Sequence, residues 1–245
     1  MSARQDGATR VPGEALADPA GVRADPVDAP WGPSRGAGSG HGRARPTVGV
    51  LALQGDVLEH LRLLEAAGAH AVPVRRAEEL DVVHGLLLPG GESTTIGRLL
   101  DLFALAEPLR ARLAAGLPAF GTCAGAILLG RATTLDDGAP SDQPLLGALD
   151  VVTRRNAFGR QVASFEADLA VDEVPGGPLH AVFIRAPWFE ALGASVRALA
   201  TVTTAAGDRA VVVRQGGLLA SAFHPELTGD ARLHERFVSL VREAA

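Results

Sequence analysis

The rhythm of apolar and polar positions changes abruptly at Thr47. Residues 1 to about 45 carry neither the period of 2 of a strand face nor the period of 3.6 of a helix face. They are rich in Gly, Pro, Ala, Asp and Arg, so a disordered leader over 1–45, or an overlong gene model, is expected, with no specific role for Trp31 or His41. The leader has no apolar stretch for a signal peptide and too many acids for a transit peptide. From Val48, "VGVLAL" is an apolar run of strand length. In "GDVLEHLRLLEAAGA", Val57, Leu61 and Leu64 fall on one helical face, with Asp56 predicted as N-cap, Glu59 three positions on, and Gly68 as the stop. "AHAVPVR" and "VHGLLLPGG" read as two further strands. A helical stretch over 94–116, broken near Pro108, then leads to the strand "LPAF", ending at Phe120.

Fully apolar strands alternating with helices predict an α/β fold around a buried, mostly parallel sheet. After Gly130 the texture becomes β-rich, and turn signals such as "AGD" and "QGG" predict antiparallel hairpins at one end of that sheet. "DARLHERFVSLVREAA" closes the chain as an amphipathic helix with Leu233, Phe237, Leu240 and Val241 inward. The pattern contains no repeats and predicts one domain over 46–245.

Composition narrows the chemistry. Hydrophobic residues make up 47% of the chain, enough for a full core, but its longest apolar runs are too short to span a bilayer. The net charge of −5 is spread along the chain and argues against a nucleic-acid surface. The sequence has no lysine, so a catalytic lysine aldimine cannot be built on it. A single cysteine excludes an intrachain disulfide; with nothing pointing to an oxidising compartment, a cytoplasmic location is expected.

That cysteine, Cys123, sits in "FGTCAG" between a predicted strand and a helix beginning near Ala124. A nucleophile at such a turn stands clear of the sheet on strained backbone that flanking glycines permit, and a helix N-terminus favours the thiolate. The alternative is a buried, inert thiol. A nucleophile also needs a base. Among seven histidines, His60 and His234 fall beside charged residues on predicted helices and read as solvated, while His70, His84 and His180 read as structural. His224 stands in "FHPEL", where Pro225 predicts extended geometry that sets His224 and Glu226 on one side, as a base with its orienting carboxylate. In "LLLPGGESTT" two glycines after an apolar strand allow backbone N–H groups to face a ligand; with the N–H of Ala124 they suit an oxyanion.

With these segments together, the chain resembles the class I, triad-type glutamine amidotransferases, and within them the glutaminase subunits of pyridoxal 5′-phosphate synthase. "GVLALQGDVLEH", "LLLPGGESTT", "GTCAGAILL", "RNAFGRQVASFEADL", "VFIRAPWFE" and "FHPELT" carry the resemblance, which covers Val48 to about Val241. It implies a three-layer, flavodoxin-like fold with antiparallel additions. It implies Cys123 as nucleophile, with His224 and Glu226 completing the triad. It places glutamine binding on Gly91, Glu92, Ser93, Arg155, Ile184 and Arg185, and the oxyanion hole on Gly91 and Ala124. An Arg fork suits the substrate carboxylate, and Glu92 its ammonium. The implied reaction is hydrolysis of L-glutamine to glutamate and ammonia through a glutamyl thioester. The implied partner is a synthase subunit, in a large hetero-oligomer, that makes pyridoxal 5′-phosphate from a pentose phosphate and a triose phosphate. The missing lysine agrees with this division, since imine chemistry then falls to the partner. No cofactor, metal, nucleic acid or membrane is expected. Two segments depart from the pattern, the leader and "TTLDDGAPSDQPLLG", and both read as surface additions.

Three rivals stay open. A glutaminase serving another acceptor, such as imidazole-glycerol-phosphate synthase, would keep the triad, although "ALQGD" and "RNAFGRQ" speak against it. A cysteine hydrolase or stress protein of the same superfamily would share the elbow but lack the His–Glu pair. A non-catalytic binding module would keep the fold alone.

Overall fold

Burial on both faces turns the apolar runs into the strands of one large sheet. The computed structural model describes residues 45–158, 164–205 and 207–245. The leader except Arg45, and the "GRQVA" part of the "RNAFGRQ" segment, lie outside the described residues. The strands are β1 (Thr47–Leu51), β2 (His70–Val74), β3 (Gly85–Leu88), β4 (Ala119–Thr122), β5 (Gly130–Thr134) and β6 (Leu149–Arg154). They continue as β7 (Ser164–Leu169), β8 (Leu179–Ile184), β9 (Trp188–Leu192), β10 (Arg197–Thr204), β11 (Gly207–Gln215) and β12 (Leu218–Ser221). The helices are α1 (Val57–Ala66), α2 (Ser93–Leu102), α3 (Ala106–Ala114), α4 (Ala124–Leu129) and α5 (Arg232–Ala244).

The large sheet runs β2-β1-β3-β4-β12-β11-β9-β6-β5, with β10 on β11, while β7 and β8 form a separate antiparallel pair. Its first five strands pair in parallel. The helices α1 and α5 pack together, while α2 packs on both α3 and α4. This is the α/β arrangement that the alternation predicts, with the flavodoxin-like fold and antiparallel additions that the resemblance implies. The core is continuous through the parallel strands, where Val48, Leu87 and Phe120 have no exposed surface, and into α5 through Phe237.

Four details differ from the sequence reading. The long helical stretch breaks at Ala104, which takes a left-handed φ of 54°, and not at Pro108. Pro108 falls in the first turn of α3, where no intrahelical N–H bond is lost. The strands β5 and β6 pair in parallel, joined by a long connection, so they are not a hairpin. β4 continues to Thr122, two residues beyond the predicted end. His60 and His234 have no exposed surface, because α1 and α5 turn these positions toward each other; charged neighbours in sequence did not reveal the face.

Candidate active site

Adjacent parallel strands end side by side, about 4.8 Å apart, so residues just past their carboxyl ends are brought together. Here the order β1-β3-β4-β12 gathers four such segments: Gln54 and Asp56, Gly90 to Ser93, Cys123, and His224 with Glu226.

Cys123 follows β4 directly and is held by its N–H, which donates to the Ser221 carbonyl of β12 at 2.8 Å. Its φ of 46° is left-handed, a conformation that costs a non-glycine residue roughly 1–3 kcal/mol. The flanking glycines serve a different purpose from conformational freedom. A Cβ on Gly121 would lie 2.6 Å from the Gly125 carbonyl oxygen, and one on Gly125 would lie 2.0 Å from the Leu88 carbonyl oxygen. The elbow therefore exists because α4 doubles back onto β3 and β4 at backbone contact.

His224 leaves β12 and is anchored by its own N–H, which donates to the Val182 carbonyl of β8 at 3.0 Å. Its Nδ1 lies 2.6 Å from Glu226 Oε1, and Cys123 at the end of the adjacent β4 favours its charged form. All three residues are buried. The extended geometry predicted for "HPE" is not what joins them. Pro225–Leu227 forms one 3-10 turn with proline at its start, and that turn swings the Glu226 carboxylate back under the ring. Burial works against a charged His224, but the hydrogen bonds to Cys123 and Glu226 outweigh it and push its pKa up to about 10. Burial pushes Glu226 upward, and the hydrogen bond to His224 opposes that shift.

The Gly90–Gly91 turn packs against this group. A Cβ on Gly90 would meet the His224 ring at 2.6 Å. Gly91 has φ 150°, and a side chain there would collide with the Gln54 amide at 2.5 Å. Gln54 Oε1 accepts from the Glu92 N–H at 2.9 Å, pinning the turn. Among the described residues, no hydrogen bond engages the N–H of Gly91 or of Ala124.

The remaining predicted residues fall into two groups. Glu92 caps α2 by accepting from the N–H of Thr94 and of Thr95, at 3.1 and 2.7 Å. Against a desolvation cost, those bonds and the Thr95 hydroxyl hold its pKa down at about 2. Arg155 lies 3.2 Å from the Glu92 carboxylate and donates to Gln143 Oε1 at 2.8 Å. Ser93 is buried, with its hydroxyl on Gln143 Oε1 at 3.1 Å. Ile184 and Arg185 are exposed at the end of β8, the strand whose Val182 carbonyl holds the His224 N–H, and Arg185 makes no side-chain hydrogen bond or ion pair among the described residues.

The sequence reading missed several neighbours. Asp56 was read as an N-cap, yet its side chain makes no capping bond and its Oδ2 lies 3.7 Å from His224 Nδ1. Asp56, His224 and Glu226 offer three donor atoms within 4.8 Å of one another, but the short Nδ1–Oε1 bond already occupies the imidazole nitrogen that faces them. Gln143 comes from "TTLDDGAPSDQPLLG", which is therefore not purely a surface addition. A cavity of about 410 Å³ lined by Val83, His84, Pro118 and Val241 lies at the opposite, amino-terminal end of the strands and shares no residue with this cluster.

The buried pair His60 and His234 sits beneath the cluster, and it sets a stability prediction. Burial, with lesser repulsion from His234 and His224, lowers His60 well below its ordinary value, and burial brings His234 down to about 3. An unfolded chain protonates both near 6.5. Stability is then complete above about pH 6.5 and declines as pH falls toward 3, by about 1 kcal/mol per pH unit for each histidine. His234→Leu is expected to flatten that slope in urea unfolding measured from pH 7 to 4; an unchanged slope would show that His234 accepts a proton in the folded state.

Comparison with known proteins agrees with this geometry. The family model for the SNO glutamine amidotransferase family matches residues 50–243. The pyridoxal 5′-phosphate synthase subunit PdxT of Frankia alni is 63% identical over 199 residues, covering 81% of this chain and 96% of its own. The subunit of the same name from Saccharopolyspora erythraea is 60% identical over 211 residues, covering 81% of this chain and 96% of its own. A crystal structure of a glutamine amidotransferase superposes with a TM-score of 0.72 at 50% identity, covering 80% of this chain and 98% of that one. The match spans nearly all the described residues, at 60–63% identity to these relatives, and the chain belongs to the SNO glutamine amidotransferase family.

Proposed function

We propose that this chain is the glutaminase subunit of a pyridoxal 5′-phosphate synthase. It hydrolyses L-glutamine and passes ammonia to a synthase subunit that joins it to a pentose phosphate and a triose phosphate. The observation that carries the reading is 63% identity over 199 residues to a named subunit of that synthase, supported by the 2.6 Å His224–Glu226 bond on the strand next to the one that ends at Cys123. The amidotransferase domain is taken as 46–245. No helix among the described residues is long and apolar enough to cross a membrane, and the cytoplasm is the proposed location.

The chemistry follows from the groups present. The raised basicity of the imidazole suits His224 to take the proton of the attacking sulfur. The sulfur attacks the side-chain amide carbon of glutamine, and the oxyanion forms within reach of the unengaged N–H groups of Gly91 and Ala124. His224 gives its proton to the departing ammonia. It then takes one from water, which cleaves the thioester to glutamate and returns the thiol. Glu226 fixes the ring orientation and stabilises the imidazolium.

Substrate binding is assigned to Gly91, Glu92, Ser93, Arg155, Ile184 and Arg185. Glu92 remains ionised and suits the α-ammonium. Arg155 is already engaged by Glu92 and Gln143, and Arg185, whose side chain has no ion pair among the described residues, offers its fork of donors to the α-carboxylate.

The test is to mix the chain with the synthase subunit, both sugar phosphates and glutamine, then follow glutamate and the pyridoxal 5′-phosphate absorbance together. Both are expected to rise in step. Glutamate without the chromophore would favour another acceptor, such as that of imidazole-glycerol-phosphate synthase; no glutamate at all would overturn the glutaminase reading.

A further inference from the structure

The triad uses one oxygen of Glu226. Its Oε1 meets His224, while Oε2 is buried and makes no hydrogen bond within ordinary geometry among the described residues. A bare carboxylate oxygen in a dry site is costly, so whatever donor stands nearest matters. That donor is His60 Nε2, at 3.4 Å, which also lies 3.2 Å from the hydroxyl of Thr122, the residue preceding Cys123. The other nitrogen of His60, Nδ1, is 2.9 Å from His234 Nε2. Both histidine rings are fully buried, one on α1 and one on α5.

The proton positions along this chain are determined by elimination. If His60 carried its hydrogen on Nδ1, a bare Nε2 lone pair would face the Glu226 carboxylate. His234 would then have to be bare at Nε2 and carry its hydrogen on Nδ1, where no partner exists. An orphaned buried N–H and a lone-pair clash would coincide. The opposite arrangement avoids both. His234 Nε2–H donates to His60 Nδ1, His60 Nε2–H serves Thr122 Oγ1 at 3.2 Å and stands 3.4 Å from Glu226 Oε2, and only a lone pair on His234 Nδ1 goes unused. The charged groups bearing on this row are His224 and Asp56 around Glu226, and Asp230 near His234.

We propose that His60, locked in its Nε2–H tautomer by His234, is the positioning residue for Glu226. It holds the second carboxylate oxygen with a neutral donor, so that the first keeps its 2.6 Å bond to His224 and the imidazole stays aimed at Cys123. A neutral donor suits the place, because a second cation would compete with the imidazolium for the same carboxylate. This assignment rests on the glutaminase reading for its effect on rate, and on geometry alone for its tautomers.

The test compares His60→Leu, His60→Gln and His234→Leu, assayed with the synthase subunit present. His60→Leu is expected to lower kcat on the order of 10- to 100-fold with KM for glutamine little changed. Without its donor the ionised form of Glu226 is less favoured, so the acidic limb of the kcat/KM profile should move to higher pH. His60→Gln, which retains an N–H donor, should restore part of the rate and return the limb. His234→Leu should shift the limb in the same direction by less. Nitrogen-15 imidazole spectra of the intact chain at pH 7 supply a readout independent of turnover, and should show Nε2–H on both rings. A His60 Nδ1–H tautomer, or variants with unmoved pH limbs and lowered melting temperature only, would overturn the proposal and leave His60 a core residue. If the intact chain turns over no glutamine, the glutaminase reading fails, and the spectra still decide the tautomers.

Discussion

Cys123→Ala is expected to lower glutamine hydrolysis by at least about 10⁴-fold while glutamine binding stays measurable by calorimetry. The size follows from the position of the sulfur. Cys123 is the only thiol in the chain, so no neighbouring nucleophile can substitute for it. Its loss also removes the partner that helps keep His224 protonated, so the remaining imidazole has neither a proton to deliver nor a thioester to hydrolyse. The fold should tolerate the change well. Alanine occupies less space, and the strain at φ 46° belongs to the backbone, which the Ser221 carbonyl and the two glycines hold whatever side chain stands there. Glutamate release close to that of the unaltered chain would end the assignment of Cys123 as nucleophile.

Gly125→Ala is expected to cost stability more than any surface change, at least about 3–4 kcal/mol, or to prevent folding. The added carbon would lie 2.0 Å from the Leu88 carbonyl oxygen and 2.7 Å from its carbon, both backbone atoms of a central strand that cannot move without parting β3 from its neighbours. No side-chain rotation relieves that contact. Gly116→Ala is the control: its φ of 94° is unfavourable for alanine, but a Cβ there meets nothing within 4 Å, so only the conformational cost of roughly 1–2 kcal/mol applies. Urea unfolding of the three chains separates the cases. If the two alanine variants were equally stable, the close approach of α4 to β3 would not be what this glycine serves.

Much of this protein is legible in its residue pattern, wherever the governing physics is local. Continuous apolar runs separated by helical periods require a sheet covered on both faces, and that established the α/β class before any coordinates. The G-x-C-x-G turn and "HPE" single out Cys123, His224 and Glu226, because a strand-to-helix turn and an i, i+2 pair are short-range geometry. Even there the route differed, since the 3-10 turn of Pro225–Leu227, and not extended chain, brings Glu226 to His224. Which distant segments share a strand edge or a helix face emerges only in the folded chain. Asp56 carried the signature of an N-cap, but its side chain turns to His224 because β1 and β12 both end at the same rim of the sheet. Gln143 looked like part of a surface insertion and is buried against Arg155 and Ser93. His60 and His234, 174 residues apart, looked solvated because their neighbours are charged, and proved fully buried. Periodicity and capping report the few residues around a position; the contact of one helix with another is set by the packing of the whole sheet between them, and no local pattern along the chain encodes it.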